Sequence, residues 1–241
     1  MSDALLQLSG VHTHIGHYHI LQGVDLVVPR GELTMLLGRN GAGKTTTLRT
    51  ILGMWRASAG HIAFDGQEIA ARATPEIARA GVAYVPENMG IFSGLTVREN
   101  ILVAARAGAP EARRLQWVLG LFPALEKFWN LSAGALSGGQ KQMLAIARAM
   151  IEPRKLLLID EPTKGLAPAI IGNMIEAFRE LKRTETTILR VEQNFRFASA
   201  LGDHVAVMDD GRIVHAGAMA ALAKDRDLQQ RLLGLSLDSH Q

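Results

Sequence analysis

The sequence predicts an α/β fold in which a mainly parallel sheet is covered by helices on both faces and interrupted by a helical insert. Leu33–Leu37 and Leu156–Ile159 are short apolar runs of strand length, as buried parallel strands are. Helical periodicity separates such runs and dominates residues 96–150. Gly38 and Asp160 follow the two strands. Because ligands of open α/β sheets bind at the carboxyl ends of strands, we expect these two residues to converge.

The first third of the chain is predicted to be rich in strands. Val24, Leu26 and Val28 alternate with polar residues before a turn at Pro29–Glu32, a pattern typical of a half-buried strand. A helix is expected at residues 45–52, because Gly53 ends its apolar pattern. Strands are expected within residues 4–35 and at 33–37, 61–64 and 82–85.

The rest of the chain alternates helical and strand patterns. Leu115, Val118, Leu119 and Phe122 have the i, i+3, i+4, i+7 spacing of an amphipathic helix, which Pro123 is expected to end. Further helices are expected at 143–151, from Pro168 and in the tail from about Ala218. Further strands are expected at 156–159, 187–191 and 205–208, the last turning at 209–211 into a hairpin strand at 212–214.

The composition suits one large domain or two small lobes. The chain has 241 residues, of which 48% are hydrophobic and 20% charged, as in an ordinary globular protein with a sizeable core. The net charge is +3 and no dense run of Lys or Arg occurs, so we expect no nucleic-acid partner. The absence of cysteine excludes disulfides and thiolate metal sites and is typical of a reducing, cytosolic setting.

No segment is predicted to enter a membrane by itself. The start, Met1–Asp3, has neither a basic region nor an apolar stretch after it, so no signal peptide is predicted. No uncharged apolar run approaches the roughly 18–20 residues that cross a bilayer. Work at a membrane would therefore require docking on a partner that spans it.

Residues 38–45, Gly-Arg-Asn-Gly-Ala-Gly-Lys-Thr, form a complete phosphate-binding pattern between a predicted strand and a predicted helix. Such a turn directs backbone N–H groups and the positive end of the helix dipole at phosphate. Lys44 is expected to reach the β- and γ-phosphates, and the Thr45 hydroxyl to bind Mg²⁺. A Gly-rich turn that only caps a helix is a disfavoured alternative. The predicted nucleotide-binding residues are Gly38, Arg39, Asn40, Gly41, Ala42, Gly43, Lys44, Thr45 and Thr46.

Asp160 and Glu161 place two carboxylates at the end of a buried strand. A buried carboxylate needs a cation, and a Mg²⁺ held jointly with Thr45 would supply it. Because side chains alternate along a strand, the two carboxylates are expected to point in different directions. Asp160 is predicted to bind the metal and Glu161 to orient or deprotonate water. Two solvated charges at the start of a loop are the alternative.

A third motif, Ser137-Gly138-Gly139-Gln140, precedes an amphipathic helix. Ser137 and Gln140 have the spacing of a capping box, which is a sufficient structural reason for those two residues. The doubled glycine weakens a helix start, and capping does not explain it. A capped helix start of this kind also presents free N–H groups to an anion.

These motifs, with Gly165–Pro168 after the carboxylates, make the chain resemble the ATP-binding subunit of an ABC transporter over essentially its whole length. The resemblance implies a P-loop NTPase (RecA-like) core with an antiparallel β subdomain and a helical insert lobe. It implies one ABC ATPase domain over 1–241, with a catalytic core at about 1–88 and 150–217, a helical signature lobe at about 89–149 and a C-terminal helical tail at about 218–241.

The resemblance also implies a head-to-tail dimer. In that family each ATP lies between the phosphate loop of one subunit and the third motif of the other. Ser137, Gly138, Gly139 and Gln140 would then bind the nucleotide of the partner. Of these, Ser137 and Gly139 would contact the γ-phosphate of the ATP that the partner's Lys44 binds. Hydrolysis would require the dimer.

Four segments narrow the resemblance to the branched-chain (hydrophobic) amino-acid and urea importer subgroup: residues 38–47, 84–87, 191–194 and 231–234. Most of the superfamily carries Gln where Glu87 stands and His where Gln193 stands. The resemblance implies that Glu87 binds Mg²⁺ or orients water. It implies that Gln193 donates a hydrogen bond to the γ-phosphate and joins Lys44 and Glu161 in the catalytic set, although an amide carries no proton at neutral pH.

The resemblance places Ile15 under the adenine ring, where relatives usually carry an aromatic side chain. Ile15 offers van der Waals contact without stacking, and Tyr18 lies further along the chain. We therefore expect weak discrimination between nucleotide bases.

The resemblance implies that the chain is the ATP-hydrolysing subunit of an importer. The importer would take up branched-chain amino acids, or a related amide or urea. Its partners would be a second ABC ATPase subunit, identical or paralogous, integral-membrane permease subunits and, indirectly, a solute-binding protein. The chain would lie peripherally on the cytoplasmic face of the inner (plasma) membrane. The alternative is a soluble ABC-type ATPase that acts on ribosomes, DNA repair or cluster assembly. One cassette without a coiled-coil insert or a basic surface disfavours it.

Other residues leave alternatives open. The histidines at positions 12, 14, 17 and 19 either bind a metal or, as we expect, line a solvated strand edge. Met89, Ile91 and Phe92 either form a docking groove for a membrane subunit, as in relatives, or pack against the helical lobe. Arg190 interrupts an apolar strand, and its sequence context offers no reason for it.

Overall fold

The structure, a computed structural model, describes residues 3–105, 108–161, 168–184 and 186–234. Its strands are β1 (Ala4–Ile15), β2 (Tyr18–Pro29), β3 (Leu33–Gly38), β4 (Ala57–Phe64), β5 (Gln67–Glu68), β6 (Val82–Val85), β7 (Leu156–Asp160), β8 (Thr187–Glu192), β9 (His204–Asp209) and β10 (Arg212–Ala218). Its helices are α1 (Lys44–Ile51), α2 (Thr74–Arg79), α3 (Val97–Ala104), α4 (Ala112–Leu121), α5 (Pro123–Lys127), α6 (Gly138–Met150), α7 (Pro168–Lys182), α8 (Phe195–Leu201), α9 (Met219–Lys224) and α10 (Arg226–Leu233).

The larger sheet has the strand order β10-β9-β3-β8-β7-β6. The strands from β9 to β6 in that order run parallel, and β10 pairs antiparallel with β9. In this register Leu37 lies beside Glu192, and Val191 lies beside Asp160. The carboxyl ends of β3, β7 and β8 therefore meet at one edge, which confirms the predicted α/β class and brings Gly38 and Asp160 to the same edge.

The smaller sheet is antiparallel, with the order β2-β1-β4-β5. Its inner residues share a core with the larger sheet and α1; Leu8, Val24 and Ile62, for example, are buried in one cluster with Leu36 and Leu158. The predicted antiparallel β portion is thus present and covers one face of the parallel sheet.

Alternate residues of the parallel strands face two different cores. Met35 and Leu37 of β3 pack with helices α6 to α9, whereas Leu36 packs with the smaller sheet. On β8, Ile188 belongs to the helical core and Leu189 to the other. This period of two is that of extended chain, and it makes the parallel strands apolar on both faces.

The helical region between β6 and β7 differs from its prediction at Pro123. The predicted helix ends at Leu121, but a second helix, α5, begins at Pro123. Proline suits the first position of a helix, because the N–H it lacks has no intrahelical acceptor there. A proline after an apolar run therefore marked the boundary between two helices.

Strand β5, helix α2 and the seven-residue helix α8 were not predicted. Strand β5 has two residues, and helix α2 has six, of which only Ile77 is buried. Neither is long enough to show a hydrophobic period. Residues 162–167, which include Lys164 and most of the Gly-Leu-Ala-Pro segment, lie outside the described residues. Across the described ranges, none of the helices combines the length and apolar character that a bilayer crossing requires.

Candidate nucleotide-binding site

The loop between β3 and α1 has a backbone conformation that favours glycine. Gly38, Gly41 and Gly43 have φ angles of 151°, 84° and 106°. A Cβ on Gly38 would lie 2.2 Å from the carbonyl oxygen of Met208, so β9 approaches the loop too closely for any side chain. Gly43 is the last residue before α1, whose N–H groups open onto this loop. The loop therefore has the strand–turn–helix form that binds phosphate.

Lys44 folds back over the loop and is buried. Its Nζ donates hydrogen bonds to the carbonyl oxygens of Gly38 (2.9 Å) and Arg39 (3.0 Å). The same Nζ lies 3.5 Å from Oε1 of Glu161, whose side chain is 9% exposed. The ammonium is thus held between the loop and a carboxylate, and a phosphate bound in the loop would meet its positive charge.

Asp160, at the end of β7, is joined to the loop through Thr45. The Thr45 hydroxyl donates to Oδ1 of Asp160 at 3.0 Å, and the Tyr84 hydroxyl donates to Oδ2 at 3.2 Å. Burial raises the pKa of Asp160; the charges of Glu161 and Glu87 add to this rise, and the two hydrogen bonds oppose it. Burial, followed by the charge of Asp160, also raises the pKa of Tyr84 to about 12, so this hydroxyl stays protonated and donates.

The oxygens around Asp160 are those that Mg²⁺ prefers. A threonine hydroxyl and a carboxylate lie within hydrogen-bond distance, and Mg²⁺ is usually bound by one or two such groups together with substrate phosphates. Glu87 is exposed and near enough for its charge to act on Asp160. Within the described ranges no three His, Cys, Asp or Glu side chains are grouped as metal ligands.

Glu161 and Gln193 complete the cluster. Glu161 has left the strand conformation, with a φ of 42°, and non-glycine residues with such angles concentrate at functional sites. Gln193 Nε2 donates to Oε1 of Glu161 at 2.6 Å and also to Oδ1 of Asn40. The two adjacent carboxylates therefore have different partners: Asp160 contacts Thr45, and Glu161 contacts Lys44 and Gln193.

The residues of the third motif lie at the start of α6. The Ser137 hydroxyl accepts from the Gln140 N–H at 3.4 Å, and the Gln140 side chain accepts from the Ser137 N–H at 2.9 Å, so the predicted capping box is present. A Cβ on Gly139 would lie 2.6 Å from Cγ2 of Ile170, which shows that α7 packs too closely for alanine there. Gly138 is exposed and a Cβ on it would have nothing within 4 Å. The fold of the subunit thus explains one glycine of the pair and leaves Gly138 open to a ligand.

The tip of the β1–β2 hairpin carries Ile15, which is half-buried and lies opposite Tyr18 in the strand register. The Tyr18 side chain is 76% exposed. On the same hairpin His12 and His19 form a 2.9 Å hydrogen bond, and the rings of His14 and His19 stack at 4.2 Å. The histidines thus form a largely exposed stacked group.

The apolar patch after Glu87 divides into two parts. Met89 and Ile91 pack against the helical core, whereas Phe92 remains 47% exposed. The Arg148 guanidinium lies 4.8 Å above the Phe92 ring and donates to the carbonyl oxygen of Gly90. Only Phe92 of the three predicted residues presents a largely free apolar surface in this region.

Tyr84 and Glu192 belong to the site but were not predicted. In the parallel register Tyr84 lies beside Leu158, two residues before Asp160 on the same side of the sheet. The alternation of β6 against β7 could have identified it, had the register been known. Glu192 accepts from the backbone N–H groups of Gln193 (3.2 Å) and Asn194 (3.3 Å) and so shapes the turn that carries Gln193.

Comparison with known proteins assigns the family. The profile of the ABC transporter family matches residues 21–164. A high-affinity branched-chain amino acid transport ATP-binding protein of Pseudomonas aeruginosa, BraG, is 39% identical over 95% of this chain and 100% of its own length. A probable branched-chain amino acid transport ATP-binding protein of Archaeoglobus fulgidus, LivF, is 33% identical over 90% of this chain and 93% of its own. A Nod factor export ATP-binding protein of Burkholderia orbicola is 38% identical over 92% of this chain and 73% of its own.

Solved structures agree on the fold. The ATP-binding subunit of an ABC transporter superposes with a TM-score of 0.80 at 32% identity, covering 97% of this chain and 96% of that one. The ADP conformation of an ATP-binding cassette has a TM-score of 0.83 at 24% identity, covering 97% and 100%. In this structure the phosphate loop contacts two carboxylates, and both the fold and the relatives are those of ABC ATP-binding subunits. The chain therefore belongs to the ABC transporter family, as an ATP-binding subunit that hydrolyses ATP.

Proposed function

We propose that this ATPase drives the import of branched-chain amino acids, or of a related small solute such as an amide or urea. The convergence of Lys44, Thr45, Asp160 and Glu161 at one sheet edge carries the proposal, because it provides phosphate binding and water activation together. Full-length similarity to branched-chain amino acid transport proteins of two organisms supports the cargo class.

The loop residues 38–46 hold the phosphates, and Lys44 stabilises the transferring phosphoryl group. Its ammonium has three N–H donors, two of which are used by the loop carbonyls. The ammonium also lies 3.5 Å from Oε1 of Glu161, and its third N–H would donate to a phosphate oxygen. Thr45, Asp160 and Glu87 are the residues that would hold Mg²⁺, which would neutralise negative charge on the phosphates.

Glu161 orients the attacking water and accepts its proton. Its carboxylate is almost buried and fixed on two sides, by the Lys44 ammonium and the Gln193 amide. The side-chain amide of Gln193 donates one hydrogen bond to Glu161 and one to Asn40. When nucleotide is bound, the bond now made to Asn40 is free to pass to the γ-phosphate, so that Gln193 links the water-activating carboxylate to the reacting group.

The active unit is a head-to-tail dimer of cassettes, identical or paralogous. The exposed helix start at Ser137, Gly138 and Gly139, with Gln140, seals the nucleotide bound to the other subunit. Ile15 contacts the base. The dimer works on integral-membrane permease subunits at the cytoplasmic face of the membrane, and a solute-binding protein delivers the cargo to them. The chain itself forms one ATPase domain with the core, helical lobe and tail stated above.

Purification of the tagged chain from a detergent extract of its own cells tests the partnership. A stoichiometric integral-membrane subunit is the expected companion, and the complex in proteoliposomes should take up labelled leucine, isoleucine or valine only with internal ATP. The chain with Lys44→Ala is the matched control and should give the same complex without uptake. Co-purification of ribosomal RNA instead of a membrane subunit would favour a soluble, non-transport ATPase, and ATP-driven efflux of solute would favour export.

A further inference from the structure

A buried arginine lies behind the site, and the reactions described above do not use it. Arg190 is fully buried on β8. Its guanidinium carbon lies 4.4 Å from the centre of the Phe178 ring and 3.7 Å from that of Phe197. Burial lowers its pKa to about 10, so it remains charged at neutral pH. A charge held between two aromatic rings of a helical core requires an anionic partner.

The partner of Arg190 is Glu192, two residues further on the same face of β8. Nη2 and Nε of Arg190 lie 2.7 Å and 3.2 Å from Oε1 of Glu192, and both side chains are almost completely buried. A buried pair of this kind gains little stability over apolar side chains of similar size, because both charges lose their hydration. Stability of the core is therefore a weak reason for its presence.

The other carboxylate oxygen of Glu192 acts on the catalytic turn. Oε2 accepts from the backbone N–H groups of Gln193 and Asn194, the two residues that follow the strand. The side chain of Asn194 in turn accepts from the Phe197 N–H at 3.0 Å and caps α8, whose Phe197 ring covers Arg190. Each oxygen of the Glu192 carboxylate thus has its own partner. Oε1 contacts the Arg190 guanidinium, and Oε2 accepts from the backbone of the turn at residues 193 and 194.

We infer that Arg190 is a positioning residue, which orients the Glu192 carboxylate and through it sets the Gln193 amide against Glu161. The inference rests on the catalytic part proposed above for Gln193. A misplacement of about 1 Å at a group that contacts the reacting atoms lowers turnover by up to about 10²-fold. The buried pair therefore acts on turnover rather than on nucleotide affinity, because neither of its side chains is among the nucleotide-binding residues.

Steady-state ATP hydrolysis by the full chain tests this inference in a mutant cycle. Arg190→Met/Glu192→Met removes both charges at similar volume and leaves no unpaired buried ion, so the fold should be retained. We expect kcat to fall by about tenfold or more and KM for ATP to change by less than about twofold. Gln193→Ala should lower kcat by about 10²-fold, and the triple variant should be no slower than Gln193→Ala.

The outcomes separate the inference from the function on which it rests. A Gln193→Ala variant with normal turnover would remove Gln193 from catalysis and the inference with it. A second outcome is that Gln193→Ala lowers kcat while the double Met variant keeps the normal kcat. A third is that the two losses in kcat multiply in the triple variant. Either outcome would overturn only the positioning by Arg190. Glu180→Gln/Arg183→Gln, an exposed ion pair at the C-terminal end of α7, is the matched control and should hydrolyse ATP normally.

A second variant, Arg190→Lys, tests the inference if the double Met variant does not fold. Arg190→Lys keeps the charge balance but replaces two donors of a planar guanidinium by one ammonium. If thermal unfolding shows that the double Met variant does not fold, Arg190→Lys should still lose several-fold in kcat with an unchanged KM. Normal turnover of Arg190→Lys would then contradict the inference.

Discussion

The hydroxyl of Thr45 donates a 3.0 Å hydrogen bond to the carboxylate of Asp160, across 115 residues of sequence. This bond joins the first turn of α1 to the end of β7, and it exists because β3 and β7 end at the same edge of a parallel sheet. Lys44 and Glu161, the adjacent residues of each motif, form the second contact between them. Two consecutive residues of one motif thus meet two consecutive residues of the other.

Asp160→Asn should abolish Mg²⁺-dependent hydrolysis without lowering the stability of the nucleotide-free chain. Burial raises the pKa of Asp160, so between the ordinary pKa of aspartate and the raised value the native state binds more protons than the unfolded state. Stability therefore falls as pH rises through this window, and the ionised carboxylate costs stability at neutral pH. The amide removes that cost.

Thermal unfolding of Asp160→Asn and of the unaltered chain, without nucleotide, measures this effect. At pH 7.5 the variant should unfold at the same or a higher temperature, and this advantage should shrink as the pH is lowered towards the ordinary pKa of aspartate. Asp209→Asn, an exposed aspartate at the end of β9, is the control and should show no such trend. A variant that is clearly less stable than the unaltered chain at pH 7.5 would contradict the account of Asp160.

The two glycines of the third motif should respond differently to substitution. Gly139→Ala pushes a Cβ into Ile170 and should lower the free energy of unfolding by about 1–3 kcal/mol. Gly138→Asp meets no neighbour, and a carboxylate in the first turn of α6 favours the helix, so stability should be unchanged or slightly higher. The same carboxylate would repel a γ-phosphate, so ATP-dependent dimerisation should be lost.

Denaturant unfolding and sedimentation of the two glycine variants check this prediction. Gly138→Ala is the control for Gly138→Asp, because it adds a Cβ without charge. If Gly138→Asp formed the ATP-bound dimer as well as the unaltered chain does, this helix start would not face the nucleotide.

The base-binding position should show little selectivity. Ile15 presents no aromatic face, so the dissociation constants of ATP and GTP should lie within about threefold of each other, whereas stacking on an aromatic side chain is worth about 1 kcal/mol or more. Ile15→Tyr should tighten ATP binding by about fivefold to tenfold. Calorimetric titration with both nucleotides measures this effect, and Tyr18→Ala tests whether the opposing tyrosine already supplies a ring. A strong preference of the unaltered chain for ATP, lost in Tyr18→Ala, would show that it does.

Much of the site was predictable because its chemistry depends on contiguous residues. The phosphate loop needs its glycines, Lys44 and Thr45 at fixed spacing, and a strand that ends in Asp160 reads as buried from its apolar residues alone. The parallel strands were predictable for a similar reason, since burial on both faces produces an apolar run.

The residues that were missed depend on contacts between distant segments. Tyr84 reaches Asp160 only through the register of β6 against β7, which no local pattern encodes. Arg190 interrupts the apolar pattern of its strand, and the sequence offered no reason for it. Its partner Glu192 was noted only as part of the segment 191–194, so the ion pair between them was not predicted. The two phenylalanines that enclose Arg190 come from α7 and α8, so their proximity follows from packing rather than from sequence. The short helix α2 was missed because one buried residue makes no period.

The central claim is that ATP is bound between two cassettes, and Glu161→Gln tests it most directly. The amide keeps the size and one acceptor of the glutamate but cannot take a proton from water, so ATP should bind and remain unhydrolysed. Sedimentation of Glu161→Gln, alone and mixed with a paralogous cassette from the same cell, should show a dimer with ATP and Mg²⁺ and monomers with ADP. Monomers under all of these conditions, with ATP bound, would contradict the account.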